Sequence, residues 1–168
     1  YCDMDGVLCD FDQGYEKLTG ESTDEANAKG KSYFWKLFRE SVGENEKDFW
    51  ANLPWQPGGE ELWNYIKSSS PNILSAPAVD FNLPQDQQLN PEFNQAIQGK
   101  KEWISKHLNG VNKEIFVPAP QKSTFATSKH ILIDDMQKNI DAWRAAGGKA
   151  ILHTSTANTI EQLQKLGL

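Results

Sequence analysis

Long apolar runs are missing from this 168-residue chain. Without a stretch of roughly 18 consecutive apolar residues there is no candidate membrane-spanning helix. A charged segment leading into a short apolar core is also missing, so no signal peptide is recognisable. Cationic excess is lacking too: 17 Lys and Arg against 23 Asp and Glu leave a net charge of −6, with no basic stripe. That balance argues against binding a long polyanion such as nucleic acid. Cysteine is scarce. Cys2 and Cys9 flank one short segment, and a disulfide between them would distort it. They read as thiols in a reducing compartment, with the cytoplasm as the expected location. His107, His130 and His153 are scattered without ligand spacing, so they read as structural or exposed. No internal repeat is present. Only two residues precede Asp3, which is short for a central strand, so further residues are expected upstream.

What the chain does have is concentrated at Asp3–Phe11, D-M-D-G-V-L-C-D-F. Asp3 and Asp5 sit two apart after an extended start, and on a strand such positions point to the same side. Gly6 permits a sharp turn directly after them. Two carboxylates facing one spot repel and need a cation or a shared proton. Oxygen-only ligands favour Mg²⁺. A calcium loop fits poorly, because Val7 and Leu8 replace further oxygen ligands. The bland alternative is a solvated Asp/Gly turn. A second acidic pair decides against it: residues 131–135 read I-L-I-D-D, an apolar run ending in Asp134 and Asp135. Open α/β sheets collect their sites at the carboxyl ends of strands. A third apolar run, I-L-S-A-P at 73–77, ends in the hydroxyl of Ser75, and lysines follow at Lys100 and Lys122.

Periodicity supplies the frame. Strands are predicted at 73–77, 114–117, 131–134 and 148–152. Helices are predicted at 58–69, from Pro91 to 108, at 138–146 ending on Gly147-Gly148, and at 156–166. Alternating strands and helices imply an α/β fold with a parallel, Rossmann-like sheet, its crossovers right-handed and its faces covered by helices. Residues 15–56 break the pattern, with helical and aromatic signals and no strand signal. The stretch 76–90, rich in Pro, Asn, Asp and Gln, reads as a long loop beside the site.

In the order Asp pair, Ser, Lys, Asp pair, the chain resembles the haloacid dehalogenase (HAD) superfamily of phosphotransferases. Within it the sequence is similar to the 5'(3')-deoxyribonucleotidases. That likeness is carried by D-M-D-G-V-L-C-D-F, F-W-A-N-L-P-W-Q-P-G at 49–58, I-L-S-A-P, K-K-E-W at 100–103 with His107-Leu108 after it, and I-L-I-D-D. The resemblance implies a HAD-like catalytic core, residues 1–14 and 57–168, with a small helical cap at 15–56 inserted after the first strand. It implies Asp3 as the nucleophile taking the phosphoryl group as an aspartyl-phosphate. Asp5 becomes the general acid and then the base. Mg²⁺ would be held by Asp3, Asp5 (through its backbone carbonyl) and Asp134, with Asp135 as a weaker or outer partner. Ser75 and the Ala76 N–H would bind phosphate oxygens, and a lysine, Lys122 or Lys100, would neutralise phosphate and nucleophile together. The ordinary fate of either lysine is a solvated surface position.

Six Trp is a high count, and four of them fall between 35 and 63. Trp35 and Trp63 read as core. Phe49 and Trp50 match the family's base-binding block and are expected to contact substrate. The expected activity is Mg²⁺-dependent hydrolysis of (deoxy)nucleoside monophosphates by a monomer or homodimer. Its rivals are HAD-type action on a polynucleotide 3'-phosphate or a sugar phosphate, or a catalytically silent binding module.

Overall fold

The computed structural model describes residues 1–79 and 83–168. Asp80, Phe81 and Asn82, inside the loop expected at 76–90, lie outside the described residues. The chain forms two compact units. One comprises Tyr1–Cys9, Trp55–Pro77 and Leu108–Leu168; the other comprises Asp10–Pro54 and Ala78–His107.

The first unit is built on parallel strands β1 (Ile73–Ser75), β2 (Glu114–Phe116), β3 (Ile131–Asp134) and β4 (Lys149–Leu152). β1 pairs β2 with Ser75 opposite Phe116, and β3 pairs β4 with Asp134 opposite Leu152. The two ribbons are joined through the start of the chain. Cys2 bridges in parallel to Ile73 on one side and Ile133 on the other. The Cys2 N–H donates to the Asn72 carbonyl and the Leu74 N–H to the Cys2 carbonyl. On the far side the Asp3 N–H donates to the Ile133 carbonyl and the Ile133 N–H to the Tyr1 carbonyl. The order is therefore β2-β1-(1–3)-β3-β4, with the opening residues in the central place.

Strand alternation sorts the side chains by face. Leu74, Leu132 and Ala150 pack with Ile140 and Trp143 of an amphipathic helix at Gln137–Ala145. Ile73, Ile133 and Ile151 belong to the opposite face and are likewise buried. The helix at Gly59–Ile66 buries Leu62, Trp63 and Ile66, and packs against the helix at Thr156–Lys165. The predicted helix 58–69 is shorter than expected. It tightens into a 3₁₀ turn over Lys67–Ser69 and stops at Ser70, whose φ is 46°.

The second unit is helical, with helices at Phe11–Thr19, Thr23–Ala28, Lys31–Val42, Glu46–Ala51 and Gln95–His107. Its centre is aromatic. Tyr15 stacks on Phe34 at 4.4 Å between ring centroids, and Phe11 on Trp50 at 5.2 Å. The predicted helix from Pro91 starts instead at Gln95, because the Asn94 carboxamide oxygen accepts the Ile97 N–H at 2.9 Å and caps it. The resemblance placed all of 57–168 in the strand-bearing core; in the structure Ala78–His107 groups with Asp10–Pro54. The cause is the packing of Gln95–His107 on Glu46–Ala51. A Cβ at Gly99 would collide with the Lys47 carbonyl, and the Trp103 indole donates to the Leu53 carbonyl at 2.8 Å.

Candidate active site

The sheet order brings three sequence-distant groups to adjacent strand ends. Ser75 closes β1, Asp3 follows the central segment, and Asp134 closes β3. All three are buried: Ser75 and Asp134 fully, Asp3 to 6% exposure. The chain then turns sharply. The Met4 carbonyl accepts from Val7, Leu8 and Cys9, and the Gly6 N–H donates to the Cys9 carbonyl at 3.0 Å. Gly6 has φ 73° and faces the Asp135 carboxylate so closely that a Cβ would strike it. Both the backbone angle and the space require glycine. Asp5 lies in this turn, half-buried, and the Cys9 thiol donates to its Oδ1 at 3.4 Å.

Lys122 completes the cluster. It sits in 3₁₀ turns over Ala119–Phe125 and is 1% exposed. Its ammonium lies 2.7 Å from Asp3 Oδ2 and 2.8 Å from Asp134 Oδ2. The 12-residue spacing from Lys122 to Asp134 is taken up by those turns and the turn at 128–129 before β3. Burial by itself would depress this ammonium, but the charges of Asp3 and Asp134 outweigh it and hold the group above the ordinary lysine range. Asp134 is pushed upward by burial and then by Asp3, against the pull of Lys122 and the Met136 N–H.

Asp134 and Asp135 differ in kind. Asp134 accepts from Lys122, from the Met136 N–H at 2.9 Å to Oδ1, and from the Asn139 amide at 3.0 Å to each oxygen. Asp135 is exposed. Although its surface reaches solvent, the surrounding protein strips enough water to raise its carboxyl to about 7, with Asp3 and Asp134 adding to the effect. One oxygen from each of Asp3, Asp134 and Asp135 lies within 4.8 Å of the others. Three carboxylates against a single ammonium, all hard oxygen donors, fit a divalent cation of the Mg²⁺ type. The sequence reading gave Asp134 to the metal and Asp135 an outer place. All three carboxylates stand close enough to share such an ion, and Asp3 and Asp134 also meet Lys122.

The remaining expected site residues lie as follows. Ala76 is half-buried just beyond Ser75. Lys100 belongs to the helical unit, fully buried, with its ammonium 4.6 Å from the centroid of the Trp50 ring. Trp50 is 2% exposed, its indole donating to Glu46 at 3.2 Å and its ring packed with Phe11, Phe38 and Phe49. That is the packing of a core residue, and it gives Trp50 no open face for a base. Phe49 is half-buried. Trp63 is core, as expected, and donates to the Asn109 carbonyl at 3.2 Å. His153 is buried against Thr159, His130 contacts the Phe125 carbonyl, and His107 is exposed beside Trp103. Two contributors went unread in the sequence: Asn139 and the Cys9 thiol. The only available signal for Asn139 was an amide spaced one helical turn beyond the acidic pair.

The sequence matches no protein-family profile and no curated protein. Its structure is similar to that of a hydrolase from Streptococcus pneumoniae TIGR4, at 18% identity over 97% of this chain and 96% of that one, with a TM-score of 0.51. It also aligns with a HAD family enzyme from Bacteroides thetaiotaomicron, at 13% identity over 89% of this chain and 90% of the other (TM-score 0.46). A HAD-superfamily hydrolase from Geobacter sulfurreducens PCA aligns at 12% identity over 89% and 83% (TM-score 0.46). At such identities the likeness is one of fold: a parallel α/β sheet flanked by helices.

Proposed function

We propose that this chain is a phosphomonoesterase of the HAD type, forming an aspartyl-phosphate on Asp3, with nucleoside monophosphates as its substrate class. The observation that carries the reading is Lys122 held between Asp3 and Asp134 at the carboxyl ends of neighbouring strands. A nucleophilic carboxylate attacking a phosphate dianion meets charge repulsion, and a buried cation against the nucleophile reduces it. Asp3 is further fixed by the Met4 N–H, 2.8 Å from its Oδ1. In-line attack by Asp3 on phosphorus breaks the bond to the leaving alkoxide, and Asp5 donates the proton that alkoxide needs. Asp5, now a carboxylate, takes a proton from the water that attacks the acyl-phosphate and frees Asp3. Ser75 and the Ala76 N–H would receive phosphate oxygens. Mg²⁺ held by Asp3, the Asp5 carbonyl and the pair Asp134 and Asp135 would offset phosphate charge and fix its orientation.

The nucleotide class is supported by the resemblance of the 49–58 and 100–103 blocks to deoxyribonucleotidases. The acidic balance of the chain favours a small phosphate over a polynucleotide. Of the aromatic pair, Phe49 retains surface for a base. A phosphate-release screen over nucleoside monophosphates, sugar phosphates and a 3'-phosphorylated oligonucleotide, with Mg²⁺ or EDTA, tests this. Nucleoside monophosphates should lead, and Asp3→Asn or EDTA should abolish turnover. Near-normal turnover by Asp3→Asn removes the covalent route, and preference for the oligonucleotide removes the mononucleotide reading.

A further inference from the structure

We infer that Asn139 is a positioning residue, acting through Asp134 on Lys122; only the kinetic consequence rests on the function proposed above. Asn139 lies in the first turn of the helix at Gln137–Ala145 and is 6% exposed. Its amide nitrogen is 3.0 Å from both oxygens of Asp134. Without it, each Asp134 oxygen keeps one hydrogen bond, from the Met136 N–H on Oδ1 and from Lys122 on Oδ2. The terminal torsion of an aspartate is soft, so one partner per oxygen leaves the carboxylate able to tilt. An amide spanning both oxygens closes that freedom.

The consequence passes to Lys122. A lysine has four torsions and a compact charge with no preferred fork geometry. It is located only as well as its anchors, and of its two anchors Asp3 is the group expected to react. Asp134 is then the fixed post, and Asn139 fixes it. The residue type suits the task. A neutral amide donates to Asp134 without cancelling the charge that Lys122 answers. A carboxylate there would repel Asp134, and a cation would compete with Lys122.

The test joins spectroscopy with kinetics. In the ¹⁵N-lysine side-chain spectrum of the intact chain, the Lys122 ammonium is assigned by its loss in Lys122→Arg. Asn139→Ala should shift or broaden that resonance and leave other lysines in place. With p-nitrophenyl phosphate and Mg²⁺, Asn139→Ala should lower kcat by about tenfold or more, with KM changed less than about threefold. Asn139→Asp, similar in shape but anionic, should lose more. In an Asp134→Ala background, Asn139→Ala should cost less than about twofold, since residues acting as one unit are not additive. An unmoved Lys122 resonance overturns the inference, as does an equal loss in both backgrounds or an Asp variant as active as wild type. If Asp134→Ala is too weak to assay, the resonance decides alone. An inactive wild-type chain whose Lys122 resonance still answers to Asn139→Ala sinks the phosphatase reading and leaves the coupling standing.

Discussion

Trp50→Ala separates two roles that make opposite demands on one side chain. Trp50 is 2% exposed, stacked by Phe11 at 5.2 Å and faced by the Lys100 ammonium at 4.6 Å. Truncating a buried Trp to Ala costs about 3–5 kcal/mol through lost burial and the cavity left behind. Loss of the cation–π contact adds about 0.5–2 kcal/mol where the pair is desolvated. For a chain of this size each kcal/mol moves Tm by about 2–4 °C. The burial contribution alone therefore predicts a fall of about 6–20 °C. A base-stacking role predicts something else: unchanged Tm and a loss of about 1–3 kcal/mol in kcat/KM confined to nucleotides. Thermal melts followed by circular dichroism, beside kcat/KM on a deoxynucleoside monophosphate and on p-nitrophenyl phosphate, give both readings from one preparation. The structure predicts a large drop in Tm and similar kinetic losses on both substrates below the melt. A nucleotide-selective loss with Tm intact would refute the core assignment.

Asp5→Asn should slow nucleotide turnover by roughly 10²–10⁴-fold while a burst with p-nitrophenyl phosphate, whose leaving group needs no proton, survives; no burst and no trapped phosphate would deny Asp5 the acid role. Gly6→Ala forces a side chain into a backbone angle of φ 73° and onto the Asp135 carboxylate, so Mg²⁺-dependent activity should be lost while far-ultraviolet dichroism stays native; full activity would show that Asp135 can yield without cost. His153 is held below its ordinary value of 6.5 by burial. The unfolded chain therefore binds a proton there that the folded chain resists, and stability is lost as pH falls through and below that value. In urea melts between pH 8 and pH 5.5, His153→Gln should flatten the fall, and an unchanged slope would assign the pH dependence to other groups.

The parallel sheet was legible because its strands are short apolar runs ending in polar groups, and β1, β3 and β4 fall where the pattern put them. The convergence of Asp3, Ser75 and Asp134 followed from chain order alone, since strand ends in a parallel sheet collect on one side. What adjacency in sequence does not encode is which of two neighbouring acids turns inward. Asp134 is the last residue of β3, so its carboxylate is enclosed where Lys122 and Asn139 reach it, whereas Asp135 has left the strand and is exposed. The choice between them depends on where β3 stops, and a one-residue change in that boundary would exchange their roles. Lys122 and Lys100 posed the same difficulty. Both are buried, and composition treats them alike. Only tertiary packing puts one ammonium between two carboxylates and the other over an indole ring. Trp50 posed a related difficulty: a ring that would stack a base and a ring that fills a helical core have one signature in sequence, and burial distinguishes them.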